Sequence, residues 1–228
     1  MSARSRVAFA SGAGGLIGAT LLLSGRVDGS IVLALLFVGA ARVAAPATLV
    51  GAGPVLAGGA YRSLAQLIAF APAWVLVAAT GVVRAGSAAL SDARGANAVA
   101  GLAIARGQAA TVAGAWFAIA AGIVAIASRV PIGAETESGA GTTGRIVVPA
   151  TLKRLEAGAV IAQAALLVTL FAGPHVTGFG DGVSWILGLA GLAGIAWFAR
   201  DVELRNAPLI AAVLAAVGVA LAIAGGAP

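Results

Sequence analysis

Few side chains in this sequence can do chemistry, and their types narrow what that chemistry can be. Cysteine is absent and His175 is the single histidine. Disulfides, thiolate catalysis, iron–sulfur and haem ligation, and Cys- or His-cluster metal sites are thereby excluded. What remains is carboxylate and guanidinium, eight Asp and Glu against fourteen Lys and Arg. Glu135 and Glu137 stand together in a connection that also holds Arg129 and Arg145, and Glu156 follows Lys153 at the head of an apolar run. Burial and like-charge proximity raise a carboxylate's pKa towards neutrality, so such a group can take up or release a proton when a charge nearby changes. Each position also has a plainer reading. Glu135 and Glu137 fit a solvated loop, Glu156 fits a carboxylate stabilised by a helix dipole, and His175, after Gly173-Pro174, fits an exposed loop histidine. Gly53 to Gly58 has the glycine spacing of a phosphate loop without its Lys-Ser/Thr, so nucleotide binding there is rejected.

The elements that carry these residues follow from composition. Of 228 residues, 61% are apolar and 10% charged, with a mean hydropathy of +1.05. A soluble domain has about 25% charged residues, and this chain has too few to coat a water-facing surface. It reads as an all-α, polytopic integral membrane protein. The net charge of +6 does not indicate nucleic acid, because the arginines fall singly between apolar runs.

A membrane-crossing helix needs about 20 apolar residues. Charge-free runs of that size cover Val7–Gly25, Ser63–Val83, Gly107–Ser128, Ala157–Gly180, Gly182–Ala199 and Asn206–Pro228. A further span begins at Ser30 and carries Arg42 near its far end, where snorkelling to the inner face is the plainer account. Val43–Tyr61, broken by Pro46, Pro54 and several glycines, is either the end of that helix plus a loop or a re-entrant piece. The total is about seven transmembrane helices in a single domain over 1–228, with a larger cytoplasmic loop at 129–154. Seven spans take roughly 140 residues, leaving no room for a soluble catalytic domain. With the N-terminus inside, Arg4, Arg6, Arg62, Arg129, Arg145, Lys153, Arg154, Arg200 and Arg205 lie on the inner side. Arg26, Arg84, Arg94 and Arg106 lie outside. The basic excess therefore predicts N-in, C-out. Although Arg4 and Arg6 precede an apolar stretch, its length reads as a full span and not a signal peptide. Gly14–Gly18 and the row Gly188, Gly191 and Gly194 offer small-residue stripes for close helix approach, although 33 glycines also produce such spacings by chance.

Four segments, in order, resemble the family of the quinone-chamber membrane protein of respiratory complex I, which is shared with the equivalent membrane component of energy-converting hydrogenases and formate hydrogenlyases. Gly59-Ala-Tyr-Arg62-Ser-Leu-Ala-Gln66-Leu-Ile68-Ala-Phe70 is similar to the family's Gly-Ala-Leu-Arg…Ala-Gln…Ile-Ser-Tyr-Glu segment. Gly86-Ser87-Ala-Ala-Leu90-Ser91-Asp92 resembles Gly-Ser-Leu-Ser-Leu-Ser-Asp. Arg129-Val-Pro131-Ile-Gly-Ala-Glu135-Thr-Glu137-Ser138 resembles the cytoplasmic loop. Glu156 to Leu170-Phe171-Ala-Gly173 keeps the family's spacing from a glutamate to Leu-Phe-x-Gly. The resemblance runs from about Ile31 to the C-terminus. It departs where the family has a further N-terminal helix, an amphipathic segment and a Gly-Pro-Asn-Arg loop at the quinone chamber. Ala71 stands at the place of the Ser-Tyr-Glu glutamate, Gly133 at that of a loop aspartate, and a third loop glutamate is missing near Gly139.

The resemblance implies a membrane subunit that docks a peripheral redox arm and couples electron transfer to proton or ion translocation. Glu135 and Glu137 would lie at the inner mouth and Glu156 would be the first relay in the membrane. Arg62, Arg129 and Arg145 would tune charge or dock partners. Partners would be antiporter-like membrane subunits and an iron–sulfur or hydrogenase-like arm. The chain carries no redox cofactor of its own, so any electron chemistry belongs to partners or to a quinone at a shared surface. The missing carboxylates leave open a non-conducting anchor subunit. An unrelated small transporter is a third reading, although no internal repeat supports it. The high Ala, Gly and Arg content fits a GC-rich bacterial genome, and with it a multi-pass protein of the bacterial plasma membrane.

Overall fold

The computed structural model describes residues 3–50, 54–98, 109–128, 148–172 and 206–226. Among these residues the structure is all-helical, with one isolated antiparallel bridge, Ser30 to Ala89. The helices are α1 (Ala3–Leu23), α2 (Ile31–Leu49), α3 (Pro54–Ala85), α4 (Leu90–Ala98), α5 (Ala109–Ala127), α6 (Ala150–Leu167) and α7 (Ala207–Ala224). A π-helical turn, Val168–Ala172, continues α6. All but the nine-residue α4 are long and apolar enough to cross a membrane, which makes six such helices. The expected helix over 182–199, with its glycine row, and His175 lie outside the described residues.

Local chemistry sets the ends. Ser30 caps α2, its hydroxyl accepting the Leu33 N–H at 3.1 Å, which satisfies one of the amides a helix start leaves over. Gly86 ends α3 with φ +66°, the left-handed conformation that glycine adopts without steric cost. Ser87 Oγ then accepts from the Ala89 N–H at 3.1 Å. The turn lands against the start of α2: Ile31 N–H donates to Ala88 O (2.8 Å) and Leu90 N–H to Gly29 O (2.9 Å).

The helices alternate in direction. Ser5 at the start of α1 donates to Thr48 O at the end of α2, and Gln66 near the start of α3 donates to Ser128 O just after α5. Leu155 of α6 packs with Ala44 of α2 against Gly12. These contacts mark the N-terminal end of the bundle, while the Ser30–Ala89 bridge and the π turn mark the far end. Leu170 and Asn206 thus lie at opposite ends, the relation that a helix over 182–199 requires.

Two segments differ from the sequence expectation. Val43–Tyr61 comprises the last turns of α2 and the first turns of α3, which begins at Pro54, so the third helix starts before the expected Ser63. The fifth expected span begins at Ala150, before Ala157. Glu156 is therefore its seventh residue, in the second turn, and the first turn holds no acid. Stabilisation of Glu156 by the helix dipole, which is confined to the first turn, is correspondingly weak.

Small residues set the packing. The α5 and α7 backbones meet where Gly114 faces Gly218. A Cβ built on Gly114 would stand 2.6 Å from Gly218 O and 2.9 Å from Ala222 N. In lipid, where apolar burial gives little drive, such close approach is what makes van der Waals packing strong. Of the Gly14–Gly18 pair, only Gly18 packs, against the Phe37 ring, while a Cβ on Gly14 meets nothing within 4 Å. The most enclosed span is that of α6 and its π turn, 72% buried against 28% for α1 and α7. Gly114→Val is expected to cost about 1–3 kcal/mol by forcing the helices apart. Gly14→Ala is expected to be neutral or slightly stabilising; thermal unfolding in mild detergent compares the two.

Candidate functional site

Polar groups inside the spans are the first candidates, because each is expensive to keep in hydrocarbon. Glu156 is the one carboxylate in the six spans among the described residues. It sits half-buried in the second turn of α6 and is engaged by a partner. One residue earlier, Leu155 makes the α6 contact with Ala44 of α2 near Gly12, and Arg42 lies two residues before Ala44. Seven residues after Glu156, and so two turns along the same face, comes Gln163. Its side chain is 5% exposed, and its amide oxygen is buried without a hydrogen-bond partner.

Arg42 and Gln163 share a cavity of about 420 Å³ between α2 and α3. Its other lining is apolar and includes Leu35, Val38, Gly39 and Val43 from α2 and Leu64, Ile68, Ala71, Trp74 and Val75 from α3. Two prolines border it. Pro46 has no N–H for the carbonyl of Arg42, four residues back, and Pro72 has none for that of Ile68. Each helix thus loses a rung beside the cavity. Ala71, at the position where the resembling family carries a glutamate, is a wall residue of this apolar space.

A second polar constellation ties the far end. Arg84, 8% exposed, donates from Nη1 to Leu170 O at 3.2 Å and from Nη2 to Ala96 O at 3.3 Å. Arg94 donates to Leu22 O at 2.7 Å and Leu23 O at 3.1 Å. Helix C-termini leave four carbonyls without intrahelical donors. Arg94 serves two of them on α1, and Arg84 serves one in the π turn and one late in α4. Burial lowers the Arg94 guanidinium from its ordinary pKa, and the Asp28 charge acts the other way.

The residues singled out from the sequence are only partly brought together. Glu156 and Arg42 fall near one α2–α6 contact. Arg62 lies on the exposed side of α3 beside Tyr61, away from the cavity lining. Glu135, Glu137, Arg129 and Arg145 lie outside the described residues. Sequence reasoning misses Gln163, because an uncharged amide does not interrupt a charge-free run. It also reads Arg84 and Arg94 as loop charges, although an arginine one residue from an apolar span is a ready donor for helix-end carbonyls. No group of His, Cys, Asp and Glu that could hold a metal ion occurs among the described residues. No family model matches the chain, and comparisons with curated proteins and with solved structures likewise find no match.

Arg84→Leu is expected to leave two carbonyls without their donor and to destabilise the fold by on the order of 3 kcal/mol. Arg84→Lys is expected to retain part of that, since an ammonium still donates. Thermal unfolding of the two variants in detergent distinguishes a donor role from a packing role.

Proposed function

We propose that this chain is the membrane subunit of a redox assembly of the complex-I or membrane-bound-hydrogenase kind. It docks a peripheral arm and couples electron transfer there to proton or ion translocation. In this reading it has seven transmembrane helices, N-in and C-out, in a bacterial plasma membrane. The 129–154 loop faces the arm on the cytoplasmic side, with Glu135 and Glu137 at the inner mouth and Arg62, Arg129 and Arg145 as docking or charge-tuning groups.

The observation that most supports this reading is the place of Glu156. It is the lone in-span carboxylate among the described residues, on the most enclosed helix, with a buried amide two turns further along the same face. A carboxylate at the edge of a low-dielectric interior holds its proton more tightly than one in water. A charge change on the cytoplasmic side can therefore shift its occupancy. The alternation of the described helices also supports the orientation, since it gathers Arg6, Arg62, Lys153 and Arg154 at one end, as the positive-inside rule requires. Electron chemistry in this account resides in partner subunits or at a quinone on a shared surface.

One observation favours a second reading, an anchor that conducts no protons. Ala71 replaces a family glutamate and lines an apolar cavity, so a relay through that position has no group to use. The relay reading predicts that Glu156→Gln abolishes proton translocation in inverted membrane vesicles while the assembled complex keeps its electron transfer. The anchor reading predicts unchanged translocation with Glu135, Glu137 or Glu156 replaced singly.

A further inference from the structure

The cavity between α2 and α3 has features that the relay does not use. Its α3 wall runs from Leu64 to Val75, about 16 Å at the helical rise. Ile68 is 73% exposed and Val75 58%, so the wall faces the surrounding bilayer and the cavity is a groove open sideways to lipid. Because α2 and α3 run antiparallel, Arg42 and Leu64 lie at the groove end nearer the N-terminal end of the bundle, and Val75 lies towards mid-span. Arg42 is seven residues, about 10 Å, from the end of α2, within reach of the headgroup region by snorkelling. At Gly39 the groove has no side chain, and an added Cβ meets nothing within 4 Å.

We propose that this groove holds one acyl chain of an anionic phospholipid whose phosphate is bound by the Arg42 guanidinium. A cation at the headgroup end of an apolar channel is complementary in charge and in polarity to such a lipid. A guanidinium presents five N–H donors, so the partner Arg42 already has leaves donors for phosphate oxygens, which suit its fork geometry. The volume of about 420 Å³ lies in the lower part of the range for ligand pockets, which fits a single chain. Gln163 gives no competing polar anchor, because its amide oxygen is buried in the wall.

The test is native mass spectrometry of the full chain, purified in mild detergent and exposed to phosphatidylglycerol or phosphatidylcholine of equal chain length. Phosphatidylglycerol is expected to be retained about tenfold more than phosphatidylcholine, as a charge-assisted contact implies. Arg42→Gln is expected to remove that preference. Gly39→Leu, which fills the groove without entering a helix contact, is expected to lower retention of both lipids at unchanged thermal stability. Gln163→Leu is expected to leave the preference intact. Equal retention of the two lipids by the unaltered chain, or a preference that survives both Arg42→Gln and Gly39→Leu, would overturn the proposal. So would a preference lost through Gln163→Leu alone, since the polar end of the ligand would then lie at the amide.

Discussion

A helix that ends in or near hydrocarbon leaves carbonyls that no water can satisfy, and the far end of this bundle depends on how that need is met. Arg94 reaches from α4 to the last carbonyls of α1, and Arg84 reaches from α3 to the π turn after α6 and to α4. Both donors belong to the α3–α4 corner, which the Ser30–Ala89 bridge pins to the start of α2. One corner thus connects α1, α2, α3, α4 and the end of α6. The π turn fits this arrangement, since a helix that departs from i→i−4 bonding leaves carbonyls for other donors.

With that end fixed, the small-residue contacts determine how close the helices come. Gly114 and Gly218 bring α5 and α7 into backbone contact, and the α6 span is enclosed as the centre of the bundle. The α2–α3 pair is looser beside Pro46 and Pro72, and there a groove remains. Polar groups follow the same division. Arginines with structural work lie at the far end, while Glu156, Arg42 and Gln163 lie towards the N-terminal half of the bundle. That separation is what coupling requires, because a proton-exchanging group must be able to change charge without dismantling the carbonyl clamp that holds the fold.

The spans are legible in the sequence because charge-free runs of about 20 residues have few alternatives. Their ends are less so. Gly51 to Gly59 looks like a breaker by composition, yet Pro54 starts α3, where its missing N–H costs nothing, and transmembrane helices accept glycine. Lys153 and Arg154 look like loop charges, yet they lie within the first turns of α6 and are exposed there. Of the candidate site, Arg42 and Glu156 are visible as charges in or beside apolar runs. Gln163 is hidden because an amide carries no charge. The uses of Arg84 and Arg94 are hidden because they depend on which carbonyls the tertiary fold brings near, a matter of distance across 12 to 86 residues of sequence.

Whether this chain works within a redox assembly is tested most directly by recovering its partners. The tagged chain would be pulled down from its native membranes in mild detergent and its partners identified by mass spectrometry. Recovery of antiporter-like membrane subunits together with iron–sulfur or hydrogenase-like proteins is the predicted result. Recovery of the chain alone, as a monomer or homo-oligomer, would contradict the redox-assembly reading and favour an independent transporter.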